Sequence, residues 1–137
     1  MKQRILPALM VLSLITLLTA VVLAENRNDL PPGRLYVTSW FGGVISIVDL
    51  QSGALRRTIP VGVQNHNVFL SPDRRTAWVT NNNDATVTVL DTATDAPLRT
   101  IPVGAGPRHT FFSPDGSEAY VTLEFENAIA VVNGKSL

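Results

Sequence analysis

The stretch AWVTNNNDATVTVLDTATDAPLRTIPVGAGPRHTFFSPDGSE, running from Ala77 to Glu118, is one copy of a unit that the chain uses more than once. Sliding it back by 42 residues onto 35 to 76 needs no gap and leaves 14 identical positions. Val79-Thr80, Ile101-Pro102-Val103-Gly104 and Ser113-Pro114-Asp115 fall on Val37-Thr38, Ile59-Pro60-Val61-Gly62 and Ser71-Pro72-Asp73. Tyr120-Val121-Thr122 opens the unit again after 118. A period of about 40 residues is that of propeller blades, small sheets that bury their faces only by stacking on one another.

Within the period, β-branched residues alternate with polar ones. Val44, Ile45, Ile47 and Val48 flank Ser46, and Val87, Val89 and Leu90 flank Thr86 and Thr88. Such alternation, bounded by turn residues, means strands. Asn81-Asn82-Asn83-Asp84, Asp91 to Asp95, Gly104 to Pro107 and Pro114-Asp115-Gly116 supply the turns, by positive φ, by side-chain bonds to their own backbone and by proline at the second turn position. The strands predicted are 35–39, 44–49, 55–61, 67–71, 76–80, 86–91, 97–103, 109–113, 118–122 and 128–133.

The expected fold class is therefore all-β: β-propeller blades of four antiparallel strands on a 42-residue repeat, about two and a half blades in a partial or open propeller. The repeat domain covers 35–137, with units 35–76, 77–118 and an incomplete 119–137. Tyr36, Trp78 and Tyr120, with Phe69 and Phe111, are expected to pack between successive sheets. Propellers close with roughly four to eight blades. The open ends leave three accounts: a fragment of a larger propeller, self-association through open blade faces, or capping of another propeller-like protein.

Ahead of the repeats, Lys2 and Arg4 precede an uncharged run from Ile5 to Leu23, broken only by Ser13, Thr16 and Thr19, and Val22-Leu23-Ala24 leads into the polar Glu25-Asn26-Arg27-Asn28-Asp29. Residues 1–24 read as a signal peptide cleaved after Ala24, with an uncleaved anchor as the alternative, because the apolar run is nearly long enough to span a bilayer. The expected location is periplasmic or secreted, or membrane-anchored and facing the periplasm. Residues 25–34, with Pro31-Pro32-Gly33, read as a linker.

Composition removes several function classes. Taking Lys2 and Arg4 away leaves a net charge of about −2, which speaks against a nucleic-acid partner. The chain has no cysteine, so it can hold no disulfide, thiolate metal site or Cys-x-x-Cys-His haem attachment. Asn81 to Asp84 offer oxygens to calcium, but turn formation accounts for them without a metal. Gly104-Ala105-Gly106 lacks the following helix of a phosphate loop. One histidine, His66, is thin support for a haem ligand. No cofactor and no metal are expected.

The phrases Tyr120-Val121-Thr122, Trp78-Val79-Thr80-Asn81, Val89-Leu90-Asp91-Thr92-Ala93-Thr94, Ile101-Pro102-Val103-Gly104 and Ser113-Pro114-Asp115-Gly116 resemble the YVTN-type β-propeller repeat family. The likeness covers nearly all of 35–137, and the relatives of that family include lactone hydrolases and haem-binding, cytochrome-d1-like propellers. Ser39 and Leu123 depart from it where the repeat has Asn, and Arg74 where it has the turn glycine. Gly106-Pro107-Arg108-His109, with Glu124 downstream, is similar to a segment of the lactonase-like propellers. That resemblance implies that Arg108 holds an anionic substrate or the developing oxyanion, while His109 and Glu124 handle protons or position water.

The residues themselves leave two readings open. Arg108 and His109 stand at the mouth of an innermost strand, and a histidine beside a carboxylate is equipment for acid–base work. Equally, Arg108 and His109 would satisfy loop carbonyls and Glu124 would be a solvated turn residue. His66 and Asn67 occupy the same places in the first unit, so His66 joins the ligand-binding candidates. The first functional expectation is an exported, non-enzymatic scaffold for a protein, glycan or small ligand. The alternative is a lactonase-like hydrolase, fragment or subunit, using Arg108, His109 and Glu124.

Overall fold

Ten antiparallel strands follow one another in a computed structural model that describes residues 32–135. The export segment and most of the linker expected from the sequence lie outside the described residues. The strands are β1 (Arg34–Thr38), β2 (Val44–Asp49), β3 (Leu55–Pro60), β4 (Asn65–Leu70), β5 (Thr76–Asn81), β6 (Thr86–Asp91), β7 (Ala96–Pro102), β8 (Pro107–Phe112), β9 (Glu118–Leu123) and β10 (Ala128–Asn133). They form three sheets, β1-β2-β3, β4-β5-β6-β7 and β8-β9-β10. The all-β propeller architecture read from the sequence is therefore the one observed.

Turn chemistry fixes where each strand ends. In the β8–β9 turn, Asp115 accepts from the Ser113 hydroxyl at 2.8 Å and from the Ser117 amide and hydroxyl at 3.1 and 2.8 Å. These bonds, the Ser113 one foremost, hold its carboxyl well below the usual carboxylate range. The matching β4–β5 turn has Asp73 accepting from Ser71 at 2.7 Å and from the Arg75 amide at 3.0 Å. Gly116 has φ +68, and Arg74, at the same repeat position, is held at φ +59. The backbone thus repeats even where the residue does not.

Two apolar clusters hold the sheets together. Ile45, Ile47 and Ile59 of the first sheet meet Ala77, Val79 and Leu90 of the middle one. The opposite face of the middle sheet, with Trp78, Val87 and Val89, meets Ala119, Val121 and Leu123 of the third. Alternation puts neighbouring residues of β5 into different clusters, so a slip of one residue would exchange both interfaces at once. Trp78 is completely buried, and its ring stands edge-on to Phe112 with centroids 5.4 Å apart.

Phe111 corrects one sequence expectation. It was expected between sheets, yet it is exposed, and its neighbour Phe112 packs on Trp78 instead. Strand parity decides this. Phe112 pairs with Ala119, whose face meets the middle sheet, whereas Phe111 pairs with Tyr120 on the reverse face.

Candidate functional site

One irregularity, repeated at the period, aims the side chains of the inner strands. Between β8 and β9, Pro107 pairs with Leu123 and Thr110 with Val121, so Arg108 and His109 together oppose the single residue Thr122. Between β4 and β5, Asn65 pairs with Asn81 and Val68 with Val79, so His66 and Asn67 together oppose Thr80. A bulge of this kind adds a residue and turns side chains out of the normal alternation. The threonine fastens it: the His109 amide donates to Thr122 Oγ1 and the Asn67 amide to Thr80 Oγ1, each at 3.1 Å. The largest shifts between expected and observed strand starts, at 65 and 107, fall on these bulges.

Threonines at this repeat position also tie successive sheets at the rim. Thr38 donates its hydroxyl to the His66 carbonyl at 3.3 Å, and Thr80 to the Arg108 carbonyl at 3.0 Å. Just upstream, Gly106 has φ +70, and a Cβ on it would lie 2.8 Å from the Phe125 ring. The Gly106 carbonyl accepts from the Glu124 amide at 2.8 Å, and the Ala105 amide donates to Glu126 Oε1 at 2.5 Å. The loop that leads into Arg108 is thereby locked to the β9–β10 turn bearing Glu124.

The four site residues named from the sequence come together. Arg108 Nη1 and Glu124 Oε1 form an ion pair at 2.8 Å, with both side chains about two-fifths exposed. Arg108, His109, Thr122 and Glu124 line one open concavity of about 740 Å³. His109 sets its ring 6.0 Å from that of His66. Burial pushes the His66 pKa down, Arg108 and His109 push the same way, and Glu124 opposes them. The Asn67 amide nitrogen donates to His66 Nδ1 at 2.8 Å, which leaves the proton of the neutral ring on Nε2.

Glu124 is engaged with Arg108 rather than bonded to His109, so the carboxylate positions the guanidinium and the histidine stands beside the pair. Arg108 Nε is buried without a partner among the described residues.

Sequence reasoning missed Trp40, whose ring stands edge-on to His66 at 5.1 Å, and Asn67. The repeat register carried the signal, since Trp40, Asn82 and Glu124 share one position and each reaches an inner strand. Asn82 does so through its amide, 3.5 Å from the Pro107 carbonyl. In the tract considered for calcium, the Asn81 side-chain nitrogen donates to Thr86 and Thr88 at 3.0 and 2.9 Å, its Oδ1 is buried without a partner among the described residues, and Asp84 accepts from the Val63 amide at 2.6 Å.

The family model described as "Lactonase, 7-bladed beta-propeller" matches residues 34–136. Among solved structures, hydrazine synthase of Kuenenia stuttgartiensis is similar over 73% of this chain and 29% of its own, with a TM-score of 0.69 and 28% identity. A protein of Bacteroides fragilis provisionally named a 6-phosphogluconolactonase is similar over 72% of this chain and 31% of its own, with a TM-score of 0.64 and 20% identity. The dihydro-heme d1 dehydrogenase NirN, in complex with DHE, is similar over 80% and 24%, with a TM-score of 0.69 and 17% identity. The chain thus spans less than a third of the length of each of these three structures. No curated protein matches its sequence.

Proposed function

The chain belongs to the seven-bladed β-propeller lactonase family, and from that premise we propose that it contributes a lactone-hydrolysing rim built on Arg108, His109 and Glu124. The observation that carries the reading is the Arg108–Glu124 pair at 2.8 Å, sharing one concavity with His109. A half-exposed ion pair is worth only about 0–1 kcal/mol, and it engages Arg108 Nη1 alone, so the guanidinium keeps N–H groups for a substrate oxygen while it stays on Glu124. In the proposed reaction, His109 takes a proton from water as the water oxygen attacks the lactone carbonyl carbon. Arg108 faces the oxygen that becomes negative. The ring C–O bond then breaks, and the ring oxygen leaves with the proton that His109 returns, giving a hydroxy acid. Glu124 holds the guanidinium in place.

The test is lactone hydrolysis by the full chain and its His109→Gln variant. General acid–base work by this residue predicts a fall in turnover of about 10²- to 10⁴-fold, with the β-sheet circular dichroism kept. Equal turnover in the two proteins sinks the proposal.

We further propose that the rim works outside the cytoplasm, a reading supported by Lys2, Arg4 and the apolar run to Leu23. Amino-terminal sequencing of exported protein should begin at Glu25. Material that stays in the cytoplasm with Met1 in place would count against export.

A further inference from the structure

The middle bulge reads His66-Asn67 where the third reads Arg108-His109, so the position that holds the proton acceptor of the proposed reaction holds an amide one sheet earlier. The two histidines of the chain face each other across the joint between these sheets, with ring centroids 6.0 Å apart. A cation on His66 would oppose proton uptake by His109, because a like charge disfavours the charged form. The surroundings of His66 withhold that cation. Trp40, from the β1–β2 turn, covers the ring edge-on with centroids 5.1 Å apart. Asn67 brings a donor to Nδ1, where a carboxylate would have favoured the charged ring. Burial is the largest influence, Arg108 and His109 add positive charge in the same sense, and Glu124 opposes them.

We propose that Asn67 is a positioning residue of the rim: it keeps His66 an uncharged ring with its proton on Nε2, and so leaves His109 as the histidine that takes up a proton. Two bonds fix the Asn67 amide in the orientation this needs. Its nitrogen donates to His66 Nδ1 at 2.8 Å and to the Arg108 carbonyl at 3.5 Å. That carbonyl can only accept, so the amide turned over would set oxygen against oxygen, and Nδ1 is therefore the acceptor of the other bond. The main chain of Asn67 is held separately. Its amide donates to Thr80 Oγ1 at 3.1 Å, and the Thr80 hydroxyl donates to the same Arg108 carbonyl at 3.0 Å. The side chain is thus left to His66 and to the neighbouring bulge, and it ties the state of His66 to the strand that carries His109. The role given to His109 rests on the hydrolytic reading, whereas the state of the His66 ring does not.

Asn67→Asp keeps the shape of the side chain and exchanges the donor for an acceptor. Nitrogen NMR of the isotope-labelled full chain reads both histidines, and His66→Gln tells them apart. In the unmodified chain His66 should carry its proton on Nε2 and titrate below the ordinary value of about 6.5. In Asn67→Asp the proton should move to Nδ1 and the midpoint should rise above that value. A proton on Nδ1 in the unmodified chain, or a midpoint that does not rise in Asn67→Asp, overturns the proposal. A tie that served only the Arg108 carbonyl would move neither. The second readout is lactone turnover. With His66 charged beside it, His109 becomes the poorer proton acceptor, so kcat should fall in Asn67→Asp while KM is kept, and an unchanged kcat with His66 charged also overturns the proposal. A full chain that hydrolyses no lactone while both ring states are as expected removes the hydrolytic reading and supports the assignment of His66. Should Asn67→Asp lose its β-sheet circular dichroism, Asn67→Leu takes its place: loss of the single Nε2–H tautomer supports the role of Asn67, and its persistence overturns it.

Discussion

Where the first sheet meets the middle one, Tyr36 donates its hydroxyl to Asp95 at 2.9 Å and Arg34 donates to the same oxygen at 2.7 Å. Where the middle sheet meets the third, Trp78, at the same repeat position as Tyr36, returns its indole N–H to Thr76 of its own strand at 3.0 Å and sets its ring against Phe112. The Tyr36 hydroxyl finds its acceptor across the gap, and the contact becomes partly electrostatic. An indole satisfied at home leaves the contact to packing. One repeat position thus yields two kinds of joint, and they should fail in different ways.

The apolar joint should give the largest effect. Trp78→Ala removes a fully buried ring from between sheets that cannot collapse onto the gap, so a loss of about 3–5 kcal/mol is expected in denaturant unfolding. A loss under about 1 kcal/mol would mean that the third sheet adds little to stability. The polar joint should give less. Asp95→Ala leaves the Arg34 guanidinium and the Tyr36 hydroxyl without their shared acceptor. The cost expected is about 1–3 kcal/mol, toward the lower end because Arg34 is partly exposed. If Asp95→Ala costs as much as Trp78→Ala, the contrast between the joints is wrong.

The joints should also separate by pH. Burial, then the bond to Asp95, pushes the Tyr36 pKa up to about 12 from an ordinary 10. Between those values the unfolded chain gives up the phenol proton while the folded chain keeps it, so stability falls as pH rises through that window. Tyr36→Phe should lower stability at neutral pH but flatten that alkaline slope, whereas Trp78→Phe should leave the slope unchanged. Denaturant midpoints at several pH values would show it, and an unchanged slope in Tyr36→Phe would remove Tyr36 as the cause.

Much of this was legible because the repeat is written in turn residues. Asn81 to Asp84, Asp91 to Asp95 and Ser113 to Gly116 mark strand ends by local chemistry, and local chemistry can be read without tertiary structure. Arg108, His109 and Glu124 were legible through a resemblance, since Gly106-Pro107-Arg108-His109 with Glu124 downstream is similar to a segment of the lactonase-like propellers. What was not legible depended on parity and on bulges. Phe111 and Phe112 are adjacent aromatics, and only the pairing of Phe112 with Ala119 tells which of them meets Trp78. Likewise, nothing in the composition of 107–110 announces that Arg108 and His109 both oppose Thr122. The bulge is a property of two strands in register, and it brings His66 within 6.0 Å of His109.

The smallest effect tests how far the second joint depends on backbone rather than side chains. Arg74 and Gly116 stand at the same turn position of adjacent sheets, at φ +59 and +68. The Gly116 turn lies against the Arg74 turn, so that a Cβ on Gly116 would be 3.5 Å from Pro72 Cδ. An L-residue in the left-handed region costs about 1–2 kcal/mol. Glycine there would be relaxed but would give the unfolded chain more freedom, at a cost of about 0.5–1 kcal/mol. Arg74→Gly should therefore stabilise the fold by about 0.5–1 kcal/mol. The turn keeps its fastening, because the Thr92 hydroxyl donates to the Arg74 carbonyl at 2.7 Å, a backbone group that the substitution leaves in place. A destabilised Arg74→Gly would show that the Arg74 side chain contributes more to the joint than its backbone strain takes away, and that the joint between the middle and third sheets is not held by packing alone.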